Sequence, residues 1–180
     1  GSEMCIRDSS KGETFNGSWQ AFAMNDYVLR YSDIMLMRAE ALIELGRLAE
    51  ARTIINDIRQ RAKNSVDRHI KYAKDQCDIA LYPESYFQDK ETARKCLRWE
   101  RRLEMAMENG RFFDLRRWGI ASETLNKYFE SEQKDQYGEQ TYAQYLKDAK
   151  FTPGKNEFYP VPYNQLYYIP GLYKQNKGYE

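Results

Sequence analysis

The sequence predicts an all-α chain: tetratricopeptide-like helical hairpins with long irregular loops, closed by an irregular C-terminal wrap rich in proline and tyrosine. Three observations lead there. Apolar residues recur at three- and four-residue steps through two adjacent segments separated by Gly46, the period of paired amphipathic helices. Helical spacing returns around Trp99 and Leu103, this time among many charges. Four of the five prolines lie beyond Phe151, where no period survives. That tail is too aromatic to read as disordered, so it is expected to be an ordered wrap.

Residues 1–26 match no element pattern. They read as a leader or partial segment, not native at its start, and the fold is expected over 27–180. The first firm element is "YSDIMLMRAEALIELG". Ser32 is placed to cap it, Asp33 suits a helix N-terminus, and Gly46 is a C-terminal stop. Ile34, Met37, Ala41 and Leu45 share one face, and Met35, Leu36 and Leu42 widen it, so the helix is expected to be mostly buried. The next, "RLAEARTIINDIRQRA", places Leu48, Ala51, Ile55, Ile58 and Ala62 on one side. Ala39, Gly46 and Ala51 supply the small side chains that close packing in a tetratricopeptide unit requires. A lone unit of this kind cannot bury both its faces.

From Asn64 to Lys90 the chain reads as a connection, with one short helix around Asp67 to Gln76 and turn signals at "YPES". A long helix is expected from Glu91 to Glu108, stopping at Asn109-Gly110. A shorter one runs from Arg111 to Gly119, and helical stretches are expected at Leu125–Phe129 and Tyr142–Ala149.

Composition removes several function classes. Lys plus Arg (28) balances Asp plus Glu (27), for a net charge of +1, so there is no global pull toward nucleic acid or an acidic membrane. No run of about 18 apolar residues exists to span a membrane. Three cysteines, Cys5, Cys77 and Cys96, show no CxxC spacing. They support neither a disulfide framework nor a zinc site, and Cys77 and Cys96 are expected as two unpaired thiols in preference to one bridge between them. The single histidine, His69, sits in a polar stretch and reads as a solvated loop residue, which argues against a histidine-based metal or catalytic site. Tyrosine is the outlier, with ten of the 15 between Tyr128 and Tyr179. Its ring and hydroxyl suit packed loops and sugar-binding surfaces alike.

"RWERRLEMAMENGRFFDLRRWG" decides among the remaining chemistries. At 100° per residue Cys96, Trp99, Leu103, Ala106 and Met107 form an apolar stripe. Glu100 falls at its edge, and Glu104 and Glu108 step off it. A carboxylate so near a core needs a countercharge, and Arg59 and Arg61, in "IRQRA", are expected to supply it. A glycosidase pair of carboxylates would face a cleft, and the arginines here would hold both ionised. A di-metal site would need Glu-x-x-His motifs. Structural ion pairing through Arg59, Arg61, Glu100, Arg101, Glu104, Glu108, Arg111 and Asp114 is therefore expected, with no catalytic residue, metal or cofactor.

The same stretch resembles the signature of the SusD/RagB family of outer-membrane nutrient-binding lipoproteins. Glu100, Arg101, Arg102 and Glu104 match its E-R-R-x-E core, and Glu108 with Arg111–Trp118 match the turn and helix that follow. "RYSDIMLMRAEALIELGRLAEARTIINDIRQRA" is similar to the family's hairpin, ending in N-x-x-R-x-R-A at Asn56, Arg59, Arg61 and Ala62. "EFYPVPYNQLYYIPGLYKQNKGY" resembles its C-terminus, with Lys177 where the family usually has proline. The resemblance covers about Tyr27 to Tyr179 and implies the C-terminal part of a longer protein.

It further implies a non-enzymatic binding protein on the outer face of a Gram-negative outer membrane. Such a protein holds to the membrane only through an N-terminal lipid anchor, which this chain does not contain. It works with a SusC-type TonB-dependent transporter in the manner of a starch utilisation system, trapping oligosaccharides or peptides. Trp19, Tyr82, Tyr86 and Phe87 lie in non-periodic segments, where an exposed ring can stack on a sugar; rings in such places more often pack loops. The alternative is a cytoplasmic tetratricopeptide-type adaptor that binds a peptide in a helical groove.

Overall fold

The computed structural model describes residues 28–69, 79–133, 146 and 148–180. The expectations for residues 1–26, for Trp19, Cys5 and Cys77, and for nearly all of the helix at Tyr142–Ala149 fall outside these residues. Everything regular among the described residues is helical: α1 (Tyr31–Glu44), α2 (Leu48–His69), a 3₁₀ turn at Glu84–Phe87, α3 (Lys90–Glu104), α4 (Arg111–Arg117), α5 (Ala121–Gln133) and α6 (Tyr163–Tyr168). The chain divides into two compact units, the first ending at Glu104 and the second starting at Met105.

In the first unit α1 and α2 form the expected hairpin. Gly46 closes α1 with a φ of 78°, a left-handed conformation that costs a side-chain-bearing residue energy. The Gly46 N–H donates to Ile43 O at 3.0 Å and the Arg47 N–H to Leu42 O at 2.8 Å, the two bonds of a Schellman stop. Helix α3 packs on both α1 and α2. The core joins Leu36, Ala39 and Ile43 to Ala51, Ile55 and Ile58, and to Phe87, Ala93 and Leu97. Ala39 and Ala51 are fully enclosed, as close hairpin packing requires.

Several details differ from expectation. Ser32 is not the cap: Arg30 precedes the first turn, and Ser32 and Asp33 are buried inside it. The core face of α1 runs through Ser32, Leu36, Ala39 and Ile43, while Ile34, Met37 and Leu45 are exposed. The helix is apolar on two sides, and its small and paired residues let one of them pack closely. Helix α2 continues to His69, absorbing the start of the short helix expected at Asp67 and placing His69 on helical backbone. Helix α3 ends at Glu104, four residues early, and Met107 and Asn109 take positive φ values. There the Arg30 guanidinium binds the Glu104 carbonyl, and the Glu108 N–H turns to Met105 O at 3.3 Å. Glu108 therefore stands in a turn.

In the second unit Gly119 repeats the Schellman stop: its N–H donates to Arg116 O and that of Ile120 to Leu115 O, both at 3.0 Å. Helix α5 extends well beyond the expected Leu125–Phe129. Leu115, Ala121 and Phe151 form a small core, flanked by Phe112, Ile120, Leu125 and Phe129. The tail closes on itself through its last residues. Asn176 donates to the Tyr159 carbonyl at 2.6 Å, and the Tyr179 hydroxyl to that of Phe158 at 3.2 Å.

Side-chain amides hold the irregular segments in both units. Asn56 grips the backbone of Tyr82, donating to its carbonyl at 3.1 Å and accepting from its N–H at 2.8 Å. Asn126 does the same to Phe151 at 3.0 and 2.8 Å. Gln175 does it to Val161 at 3.1 and 2.7 Å. Each pair meets a donor and an acceptor that would otherwise need water or a strand.

Candidate functional site

The charged residues converge where α1, α2 and α3 meet. Helix α3 buries Ala93, Cys96, Leu97, Glu100 and Arg101, so its inward stripe passes from apolar to charged side chains. Trp99 and Leu103, expected in that stripe, are each 51 % exposed. The pattern is affordable because every buried charge has a partner. Arg101 Nη1 donates to Asp33 Oδ1 at 2.8 Å, with both side chains almost fully enclosed. Arg59 Nη1 donates to Glu100 Oε2 at 2.8 Å. Glu104 receives Arg30 Nη1 at 2.6 Å and also both bonds of Arg61 Nη2.

Arg59 carries more than its ion pair. Its Nε donates to the Ala80 carbonyl at 2.7 Å, and its guanidinium lies 4.5 Å from the centre of the Tyr82 ring. Burial, followed by the Glu100 charge, pushes the Tyr82 hydroxyl up to about 12. The two glutamates differ. Burial raises the Glu100 carboxyl above the ordinary range despite Arg59. Burial also opposes ionisation of Glu104, but the Arg30 and Ser32 hydrogen bonds and the Arg61 charge outweigh it, and its carboxyl is lowered. The arginines therefore bring Glu104 below its usual range but not Glu100. One arginine faces a nearly enclosed carboxylate there, against two at Glu104.

The other members of the expected motif lie in the second unit. Asp114 is buried and accepts from Arg117 Nε at 2.9 Å. The Arg111 guanidinium lies 5.9 Å from the Trp118 ring centre, and that of Arg116 lies 4.4 Å from the Phe158 ring centre. Arg30 and Asp33 are the partners that charge spacing around α3 did not identify. Their signal was the "RYSD" string at the head of α1, where two charges precede the apolar run Ile34–Met37.

The structure does bring Tyr82, Tyr86 and Phe87 together, with both neighbours 6.1 Å from the Tyr82 ring centre. They do not form a platform. Phe87 is only 4 % exposed, which corrects its expected role as a stacking surface, because an enclosed ring has no face for a sugar. Tyr82 is occupied by Arg59 and its neighbours. Tyr86 alone of the three is exposed.

Beside the ion pairs a groove of about 360 Å³ opens between α1 and α2. Arg30, Tyr31 and Met35 line one side, and Asp57, Ile58 and Arg61 the other. Among the described residues no cluster of His, Cys, Asp and Glu is placed to hold a metal ion. Among them, too, no helix is long and apolar enough to cross a membrane. Cys96 carries a free, buried thiol, not a bridge to Cys77.

Comparison with known proteins adds one finding. The model of the SusD family matches residues 5–179, nearly the whole chain. No curated protein matches it.

Proposed function

The chain belongs to the SusD family, and from that premise we propose that it captures oligosaccharides at the cell surface and hands them to a SusC-type TonB-dependent transporter. The family consists of nutrient-binding proteins, not enzymes, that work with such transporters. In this reading a lipid anchor holds the protein to the outer face of the outer membrane. Sugar is held by ring stacking and hydroxyl hydrogen bonds, without covalent chemistry.

The family match carries the proposal. The arrangement of charge supports it, because Asp33 and Arg101 are buried against each other and Glu100 is buried against Arg59, out of reach of a substrate. Calorimetry of the chain against neutral and acidic oligosaccharides and short peptides tests it. Saturable binding of at least one oligosaccharide is expected, without turnover of the sugar. Binding of peptides alone would overturn the oligosaccharide as the ligand, and hydrolysis of the sugar would overturn the binding role.

A further inference from the structure

We infer that the groove between α1 and α2 is a subsite for a neutral sugar unit, with Tyr31 as its stacking ring and Asp57 and Arg61 as its hydroxyl partners. The inference rests on the glycan reading above and assigns it a place. The volume of about 360 Å³ falls at the low end for small-molecule sites, which run from about 300 to 1,000 Å³. Its walls mix the two kinds of surface a sugar presents. The Tyr31 ring is 78 % exposed and, with the half-buried Met35, offers apolar area for the C–H face of a pyranose. Among the described residues no side chain pairs with Asp57, which leaves both carboxylate oxygens to accept from vicinal hydroxyls.

Arg61 supplies the donors. Its two described bonds both use Nη2, on the two Glu104 oxygens, so its Nε and Nη1 hydrogens remain for a ligand. Glu104 also holds Arg30 on the opposite wall. The site's donors are thus fixed by an ion pair before any ligand arrives, which lowers the ordering cost of binding.

Charge decides the class of ligand. Two arginines in the groove are matched by Glu104 and Asp57, so there is no excess positive charge to select a phosphate, sulfate or uronate. A sugar of many hydroxyls and no charge is the ligand that such a balanced, donor-and-acceptor surface suits.

The test measures affinity of the chain and three variants for neutral α-glucan, β-glucan, mannan and xylan oligosaccharides, with oligogalacturonate as the acidic probe. Tyr31→Ala and Asp57→Asn should each weaken the neutral oligosaccharide by about tenfold or more while the melting temperature stays unchanged. Tyr163→Ala removes an equally exposed ring from the tail and should leave affinity intact. If a sugar binds the Tyr31 and Asp57 variants as tightly as the parent, the groove is not the subsite, and the glycan reading stands without it. Preference for oligogalacturonate would overturn the charge argument. Absence of binding to every probe would overturn the glycan reading and the subsite together.

Discussion

In the first unit Arg30, Arg59, Arg61 and Arg101 each meet a carboxylate across helices, whereas in the second Arg111, Arg116 and Arg117 lie over aromatic rings. Both units share the same local devices, a Schellman glycine between two helices and an asparagine that grips a loop backbone. What differs is the reach of the pairs: those of the first unit join segments more than 40 residues apart, whereas the buried Asp114 pairs with Arg117 within one helix. Glu100, Asp33 and Arg101 are enclosed, and an enclosed charge without its partner is costly. The cation–ring contacts of the second unit lie at a more open surface, where each is worth less. The Arg59 and Arg101 pairs are therefore obligatory, whereas the contact of Arg116 with the Phe158 ring is incremental.

The largest effect should come from Arg59→Ala. It strands the buried Glu100 and removes the contacts to Ala80 and Tyr82, at a cost of about 3–5 kcal/mol by denaturant unfolding. A loss near that of a surface substitution would erase the distinction between the units. Next, Asn56→Ala and Asn126→Ala should each cost about 1–3 kcal/mol, because each leaves a backbone N–H and carbonyl without partners. Hydrogen exchange at Tyr82 and Phe151 should report the loss locally, and similar costs would confirm that this device works alike in both units. Arg116→Ala, by contrast, should cost about 0.5–1 kcal/mol; a loss as large as that of Arg59→Ala would break the comparison from the other side.

The pH response should be the smallest signal in the parent chain, because two neighbours oppose each other. The Glu104 carboxyl is lowered from 4.5 on folding, so its stabilisation is present above that value and fades as pH falls through the lowered one. The Glu100 carboxyl is raised from 4.5, so its contribution is fullest below that value and is lost as pH rises through the raised one. Glu104→Gln should therefore shift the melting profile toward greater relative stability in acid, and Glu100→Gln should steepen the acid loss. Parallel profiles for the two variants would contradict the assigned directions.

Much of this was legible in the sequence, and the rest failed for identifiable reasons. The hairpin turn at Gly46 could be read because a left-handed stop leaves a glycine behind. The Arg59–Glu100 pairing was legible from the cost of burying a carboxylate. The buried face of α1 was not, because apolar residues line two of its sides and periodicity alone cannot choose between them. The inward stripe of α3 was misread for a related reason: a search for apolar positions favours Trp99 and Leu103 over Glu100 and Arg101, whose burial depends on partners more than 40 residues away. The early end of α3 depends on Arg30 reaching the Glu104 carbonyl, a contact with no local trace. The groove at Tyr31 and Asp57 joins two helices and has no linear signature.

The claim that these charges are internal scaffolding is tested most directly by a double-mutant cycle on Asp33 and Arg101, the most enclosed pair. Unfolding free energies of the parent, Asp33→Ala, Arg101→Ala and the double variant should give a coupling of about 1–3 kcal/mol, with the double variant less damaged than the sum of its parts. Costs that add to within about 0.5 kcal/mol would mean that the two residues do not support each other, and the scaffolding account would be contradicted.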